Sequence, residues 1–189
     1  MPRFTRAELE SYRDREVPDL VGPDLKLLFV GINPGLWTAA TQTHFASPSN
    51  RFYPALYAAG IIEAPLSASD GMTDDDRDLL RSRGIGITNI VRRATARASE
   101  LTDDELRAGG LELVQTVRRT RPKVLAIAGI TAYRVAFGRR KAVLGRQPEP
   151  LEDAEVWVVP NPSGLNAHET VATLAAAYAE AARAATVIG

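Results

Sequence analysis

The chain has 189 residues, of which 45% are hydrophobic and 24% charged, and it contains no cysteine. These values predict one folded domain spanning residues 1–189. They exclude a disulfide framework, a zinc–thiolate site and a cysteine-held iron–sulfur cluster. Basic and acidic residues both total 23, so the zero net charge argues against a histone-like binder. A zero net charge is still compatible with a local basic face that binds nucleic acid.

The N-terminal part of the chain leads from a polar segment into a buried strand. Residues 1–24 are polar and predict an N-terminal helix or arm. The apolar run 25–32 predicts a strand, which the Pro and Gly that follow it terminate. Residues 36–49 show no clear period and predict a long loop, of a length that is usually functional.

The middle of the chain predicts helices on either side of a second strand. Residues 50–59 have a helical pattern that stops at Gly60. The sequence Thr-Asp-Asp-Asp at 73–76 predicts a capped helix that ends near Gly84. Residues 86–91 form the second strand candidate.

The C-terminal part continues the alternation. A capping box at 102–105 predicts a helix to about residue 119, and 124–128 predicts a third strand. A short helix over 131–137 and a fourth strand over 156–159 follow. The segment 166–169 predicts the cap of a long, alanine-rich final helix.

Strands that alternate with helices predict an α/β fold, here a three-layer α/β/α sandwich with a central, mostly parallel four-stranded sheet. Ligands bind outside the carboxyl ends of such strands. Two strand ends carry polar turns rich in Gly and Pro, at 31–35 and 160–165. We therefore expect these two turns to converge on one site.

The first turn, Gly-Ile-Asn-Pro-Gly at 31–35, places Asn33 at a strand end. Its amide would project into the predicted site, although it could also merely satisfy its own turn. In the second turn Asn161 stands between two prolines, and Asn166 could cap the following helix. Leu165 is apolar within a polar turn, which suits a wedge inserted into a base stack. A helix N-terminus there could also bind a DNA phosphate.

These residues carry a family resemblance. The segments 31–36, 45–46 and 50–53 resemble the first signature of the mismatch-specific uracil/thymine DNA glycosylases, and 161–165 resembles the second. Segments 86–91 and 105–110 also look like family positions. The resemblance covers roughly residues 25–185, and the two signatures in this order and separation are specific.

The resemblance implies a role for each residue that matches the first signature. Asn33 matches the catalytic asparagine that positions the attacking water. Ile32 lies in the base pocket, and Phe45 matches the aromatic residue that stacks on the flipped base. Thr38 falls where a small residue helps to decide whether a thymine methyl fits.

In the second signature, Asn161 and Ser163 match pocket and phosphate-contact positions. Gly164 and Leu165 match the wedge that fills the vacated stack, and Asn166 follows them in the DNA-binding segment. The sequence departs from the family at Ala167, where an arginine is common.

The implied reaction is hydrolysis of the N-glycosidic bond of uracil mispaired with guanine in double-stranded DNA, with thymine or modified pyrimidines as further bases. The base would be flipped out of the duplex and water would attack the sugar. Asn33 is neutral and cannot act as a base, so it can only orient the water. We therefore expect slow chemistry by a monofunctional enzyme.

Two residues are further candidates. His44 lies next to Phe45 and could touch the base or a phosphate, with an ordinary surface position as the alternative. Asp103 could supply a supplementary carboxylate, with helix capping as the alternative. Because the chain has two histidines and no cysteine, no metal and no cofactor is expected.

Two other functions compete with this hypothesis. One is an α/β enzyme that binds a free nucleotide, although the chain has no phosphate-binding loop motif. The other is a non-catalytic DNA-damage binder that uses the wedge without cleavage. No apolar run of 18 residues or signal-peptide core is present, so we expect a cytoplasmic protein, and a monomer is the simplest state.

Overall fold

The computed structural model describes residues 3–189. Its five strands are β1 (Leu27–Gly31), β2 (Ile85–Asn89), β3 (Val124–Ala128), β4 (Gly145–Arg146) and β5 (Glu155–Val159). They form one sheet in the order β2-β1-β3-β5-β4. Strands β2, β1, β3 and β5 are parallel, and β4 pairs with β5 in the antiparallel direction. The predicted α/β class with a mostly parallel sheet is confirmed.

The predicted number of four strands is wrong, because β4 adds a fifth. This strand has two residues, which pair with Val158 and Trp157 at the edge of the sheet. Two residues are too few to produce an apolar alternation, so the sequence pattern carried no signal for it.

The helices of the described residues are α1 (Arg6–Glu10), α2 (Leu36–Thr41), α3 (Phe52–Ala58), α4 (Asp74–Ser82), α5 (Asp103–Thr120), α6 (Ile130–Ala136) and α7 (Val171–Ala184). A short 3-10 turn spans Ala98–Glu100. None of these helices is both long and apolar enough to cross a membrane.

The sheet separates two apolar cores because successive side chains of a strand point to opposite faces. Leu27 and Phe29 of β1 pack in one core with residues of α3 and α7. Leu28 and Val30 pack in the other with residues of α5 and α6. Helices therefore cover both faces of the sheet, which gives the three layers expected from the sequence.

The structure changes two predicted local elements. The segment 36–49 is not all loop, since α2 occupies its first part and buries Leu36 and Ala39. Six residues are too short for a clear helical period. The final helix is not capped by Asn166: α7 begins after Thr170, whose hydroxyl accepts a hydrogen bond from the Thr173 N–H. The 160–165 turn therefore does not lead directly into a helix N-terminus.

The predicted capped start of α4 and the predicted capping box of α5 are confirmed, with Thr73 and Thr102 as the capping residues. Within α5, Gly109 marks a close approach between backbones. A Cβ at this position would lie 2.8 Å from the Ile90 carbonyl carbon. Gly109 thus lets the helix pack tightly on the segment that follows β2.

Candidate active site

A cleft of about 950 Å³ lies at the carboxyl ends of the parallel strands. Its lining includes Gly31 at the end of β1, Asn89 at the end of β2 and Ala128 at the end of β3. Strand β1 pairs with β2 on one side and β3 on the other, which makes it the switch point where α/β folds bind ligands. The 31–35 turn and residues 161 and 163–165 line this same cleft, as the sequence predicted.

The side chain of Asn33 is held in one orientation. Its Nδ2 donates to the carbonyl oxygen of Arg93 at 3.0 Å, to Thr95 Oγ1 at 2.8 Å and to the Pro34 carbonyl oxygen at 3.2 Å. The Thr95 hydroxyl donates its own hydrogen to the Arg97 carbonyl at 2.8 Å, so it can only accept from Asn33. All three partners are acceptors, which fixes the amide nitrogen toward them. The Asn33 Oδ1 accepts no hydrogen bond within residues 3–189.

A second amide, that of Asn89, is oriented by a chain of three groups. His44 is buried, and its Nε2 lies 2.9 Å from the Pro18 carbonyl oxygen, to which it must donate. Burial lowers the pKa of His44, so the ring is neutral and its Nδ1 is an acceptor. Asn89 Nδ2, at 3.2 Å from Nδ1, therefore donates to it. Among the described residues, no donor pairs with the Asn89 Oδ1, which is left as an acceptor.

Gly31 keeps the floor of the cleft open. A Cβ here would lie 2.5 Å from Asn89 Oδ1 and 3.3 Å from Phe45 Cζ. The Phe45 ring stacks on Phe52 with centroids 4.1 Å apart, which holds it rigidly. Phe45 also has a φ of 55°, a left-handed conformation that costs a non-glycine residue roughly 1–3 kcal/mol. The fold thus accepts strain to bring this ring to the cleft.

The turn after β5 is stabilised from within and from outside. Asn161 Oδ1 accepts from the Ser163 N–H at 3.0 Å, and Ser163 Oγ accepts from the Leu165 N–H at 3.2 Å. The Arg51 guanidinium donates to the carbonyl oxygens of Ser163 at 2.6 Å and Asn166 at 2.7 Å, and also to that of Glu169. Leu165 is 79% exposed on this clamped turn.

The remaining predicted residues divide between the cleft and its surroundings. Ile32 and the buried Thr38 line the cleft, as does Gly164. Asn166 lies outside the lining, with its Nδ2 bonded to the Asn161 carbonyl. His44 is buried, so the alternative of a surface histidine is wrong.

The structure does not bring Asp103 into the cleft. It lies in the exposed first turn of α5 and pairs with Arg107. Its neighbour Glu105 is also outside the lining, and the Arg93 guanidinium, with the Thr102 N–H, lowers the pKa of its carboxyl to about 2. The carboxylates that line the cleft within residues 3–189 are Glu10 and Glu100, and both are paired with Arg13.

Three features of the site were not predicted. Asn89 had a usable signal, because it ends a parallel strand next to β1. Thr95 and Arg51 act through contacts to residues far away in the chain, and these contacts have no local signal, although Arg51 lies in the 50–53 signature segment. Helix α1 contributes Arg6 and other side chains to the lining of the cleft, and no sequence motif marks this helix as part of the site.

Residues 18–183 match the family model described as the uracil DNA glycosylase superfamily. The chain belongs to this superfamily. Its structure is also similar to the solution NMR structure of a candidate uracil DNA glycosylase from Methanosarcina acetivorans. That similarity has a TM-score of 0.57 and 17% sequence identity, and it covers 87% of this chain and 98% of the other. At this identity the likeness establishes the shared fold.

Membership in the superfamily agrees with the chemistry of the cleft. Its Asn33 and Asn89 are both neutral amides, each anchored by its nitrogen and each with an unpaired oxygen. No group of His, Cys, Asp and Glu side chains within residues 3–189 is arranged to hold a metal ion. The two amide oxygens can orient water and accept hydrogen bonds from donors on a ligand.

Proposed function

We propose that the protein is a monofunctional DNA glycosylase that hydrolyses the N-glycosidic bond of uracil mispaired with guanine. The observation that carries this proposal is the anchored amide of Asn33, whose Oδ1 is left to accept a hydrogen bond in a cleft of the superfamily's fold. We further propose that it acts as a monomer, the simplest state for one folded domain.

The proposed catalytic role of Asn33 is to hold water. Its Oδ1 can accept one hydrogen of a water molecule and so direct a lone pair toward the C1′ of the sugar. An amide has no basicity at neutral pH, so the gain comes from orientation alone. The water becomes acidic as it bonds to the oxocarbenium-like sugar, and its proton is released to solvent.

Base recognition would use the other amide and the aromatic ring. Uracil has an N3–H donor, which fits the free Oδ1 of Asn89. Cytosine has an unprotonated N3 that would face this oxygen with a lone pair, so it would be disfavoured. Phe45 would stack on the flipped base from the position that Phe52 fixes.

The leaving uracil anion needs preorganised hydrogen-bond donors. The backbone N–H of Phe45 has no hydrogen-bond partner among the described residues, and it lies in the cleft lining. The left-handed conformation of Phe45 sets the direction of this donor. We propose that it stabilises the developing negative charge.

The exposed Leu165 supports a duplex substrate. An apolar side chain that is 79% exposed gains free energy when it enters a base stack. Flipping a nucleotide costs a few kcal/mol and less at a mismatch, so the wedge would favour G·U sites. Arg51 would hold the turn while the leucine is inserted.

The first test is single-turnover excision from duplexes that carry G·U, A·U or G·T and from single-stranded uracil DNA, followed by cleavage of abasic sites. We expect the fastest excision at G·U. Asn33→Ala should abolish excision and leave DNA binding nearly intact. Binding without abasic product from any substrate would instead support the non-catalytic damage binder.

The wedge has a matched control. Leu165→Ala should slow excision from duplexes and leave excision from single strands unchanged. Leu111 is 73% exposed and lies outside the cleft lining, so Leu111→Ala should leave both rates unchanged. Equal losses on duplex and single strand for Leu165→Ala would contradict the wedge role.

A further inference from the structure

The segment before residue 18 forms part of the cleft although it lies outside the superfamily match. The match begins at residue 18, whereas Arg6, Leu9, Glu10 and Arg13 all line the cleft. This N-terminal segment thus lies outside the superfamily match and reaches the candidate active site.

The segment is fixed to the core by its backbone. The N–H of Asp14 donates to the Ala94 carbonyl at 2.9 Å, and the N–H of Ala94 donates back to the Arg15 carbonyl at 2.9 Å. The Asp14 carboxylate also pairs with Arg93 at 3.0 Å. These bonds position helix α1 before any ligand arrives.

Its side chains add apolar contacts to the same attachment. Leu9 and Tyr12 pack against a buried cluster that contains Leu36 and Ala94. Phe4 meets Trp37 edge-on at 5.0 Å between ring centroids. Side chains on α1 therefore face the cleft from a fixed support.

The arginines of this region are of two kinds: one is held in ion pairs, and two have no ion-pair partner among the described residues. Arg13 donates to Glu10 at 2.9 Å and to Glu100, which joins α1 to the 3-10 turn and occupies the Arg13 guanidinium with carboxylates. Arg6 and Arg97 line the cleft, are exposed, and have no ion-pair partner within residues 3–189. These two guanidinium groups are left for a ligand.

A flipped nucleotide that enters the cleft carries its flanking phosphates to the cleft's rim. Exposed arginines at such a rim suit phosphodiester oxygens, because the planar guanidinium binds them with two parallel hydrogen bonds. We propose that Arg6 and Arg97 bind phosphates of the strand that carries the target base. This inference rests on the proposed glycosylase function, since it needs a DNA strand at the cleft.

The test measures DNA affinity and its salt dependence. Fluorescence anisotropy would give the Kd for a duplex with a tetrahydrofuran abasic analogue opposite guanine, at salt concentrations from about 50 to 200 mM. Arg6→Ala and Arg97→Ala should each weaken binding roughly five-fold and lower the slope of log K against log salt by about 1. Arg6→Lys, which keeps the charge, should retain most of the slope.

Arg15 offers the matched control. It lies in the same segment, is exposed, and is outside the cleft lining. Arg15→Ala should therefore bind like the unmutated protein. An unchanged slope for Arg6→Ala, an equal loss for Arg15→Ala, or no salt-dependent binding by the unmutated protein would each overturn the proposal.

Excision by the unmutated protein is measured in parallel, so the two proposals can fail separately. Salt-dependent binding with the expected slopes but no abasic product would refute the glycosylase and retain the phosphate contacts. Excision with unchanged slopes would refute the contacts alone.

Discussion

The hydroxyl of Thr95 is the part of the site whose removal best tests how Asn33 is held. Thr95→Val keeps the shape of the side chain and removes its oxygen. Asn33 Nδ2 then loses its 2.8 Å acceptor and keeps the carbonyl oxygens of Arg93 at 3.0 Å and Pro34 at 3.2 Å. The Arg97 carbonyl loses the hydrogen that Thr95 donates to it.

The expected magnitude follows from these bonds. A neutral hydrogen bond contributes about 0.5–1.5 kcal/mol net, so the amide loses roughly one third of its orientational preference and keeps the rest. A loss of about 1 kcal/mol at the transition state lowers the rate roughly five-fold. Thr95 is buried and its hydroxyl makes two hydrogen bonds, so their loss should also lower the free energy of unfolding by about 1–3 kcal/mol.

The assay is the single-turnover excision rate on a G·U duplex at saturating enzyme, with thermal unfolding of each variant. Thr95→Ser retains the hydroxyl and is the control, so it should stay near the unmutated rate. An unchanged rate for Thr95→Val, or an equal loss for Thr95→Ser, would refute the orienting role. Complete loss, as expected for Asn33→Ala, would mean that Thr95 itself contacts the water.

Three further predictions concern the surroundings of the site. Arg51→Lys keeps a charge but cannot reach three carbonyls at once, so duplex excision should fall while single-strand excision is retained. Burial lowers the pKa of His44 in the folded protein below the value of about 6.5 that it has in the unfolded chain. The stability that the neutral, buried ring contributes is therefore fully present above the pKa of the unfolded chain and is lost as the pH falls through the pKa of the folded protein. Urea unfolding from pH 8 to 5 should therefore show a steeper loss for the unmutated protein than for His44→Asn; equal profiles would contradict this. Helix propensity alone predicts that Gly109→Ala raises the free energy of unfolding by about 1 kcal/mol. Overlap of the new methyl group with the Ile90 carbonyl predicts instead that the free energy of unfolding falls by roughly 1–3 kcal/mol. A raised Tm would therefore refute the close approach of the two backbones.

The strands and capped helices could be predicted because their signals are local. Each of the four parallel strands is a short, mostly apolar run, and the residue patterns that predict the threonine caps of α4 and α5 each lie within four residues. The convergence of the two turns followed from the rule for strand ends. That rule also applies to Asn89, which ends β2.

The errors share a different cause. The start of α7 was misplaced because Asn166 has the composition of a cap, whereas its amide bonds the Asn161 carbonyl within the turn. The burial of His44 depends on Pro18, which is 26 residues away. Such contacts are decided by tertiary packing and leave no mark on neighbouring residues.

The same limit explains why the N-terminal segment was predicted only as a helix or arm. Its composition is polar, which is typical of a solvated end, and its capping box at Thr5 indicates a helix and nothing more. The role of Arg6 becomes visible only when the backbone pairing of Asp14 with Ala94 places α1 beside the cleft.

One short segment, 93–97, connects the amide of Asn33 to this N-terminal segment. It supplies two of the three acceptors of Asn33, and the Arg93 side chain is held between Glu105 at 2.5 Å and Asp14 at 3.0 Å. A neutral amide contributes only orientation, so the precision of its support decides how much it accelerates the reaction. The charges of the N-terminal segment therefore have two separate tasks. Asp14 belongs to the support of the amide, whereas Arg6 carries no ion pair among the described residues and is available to the DNA strand.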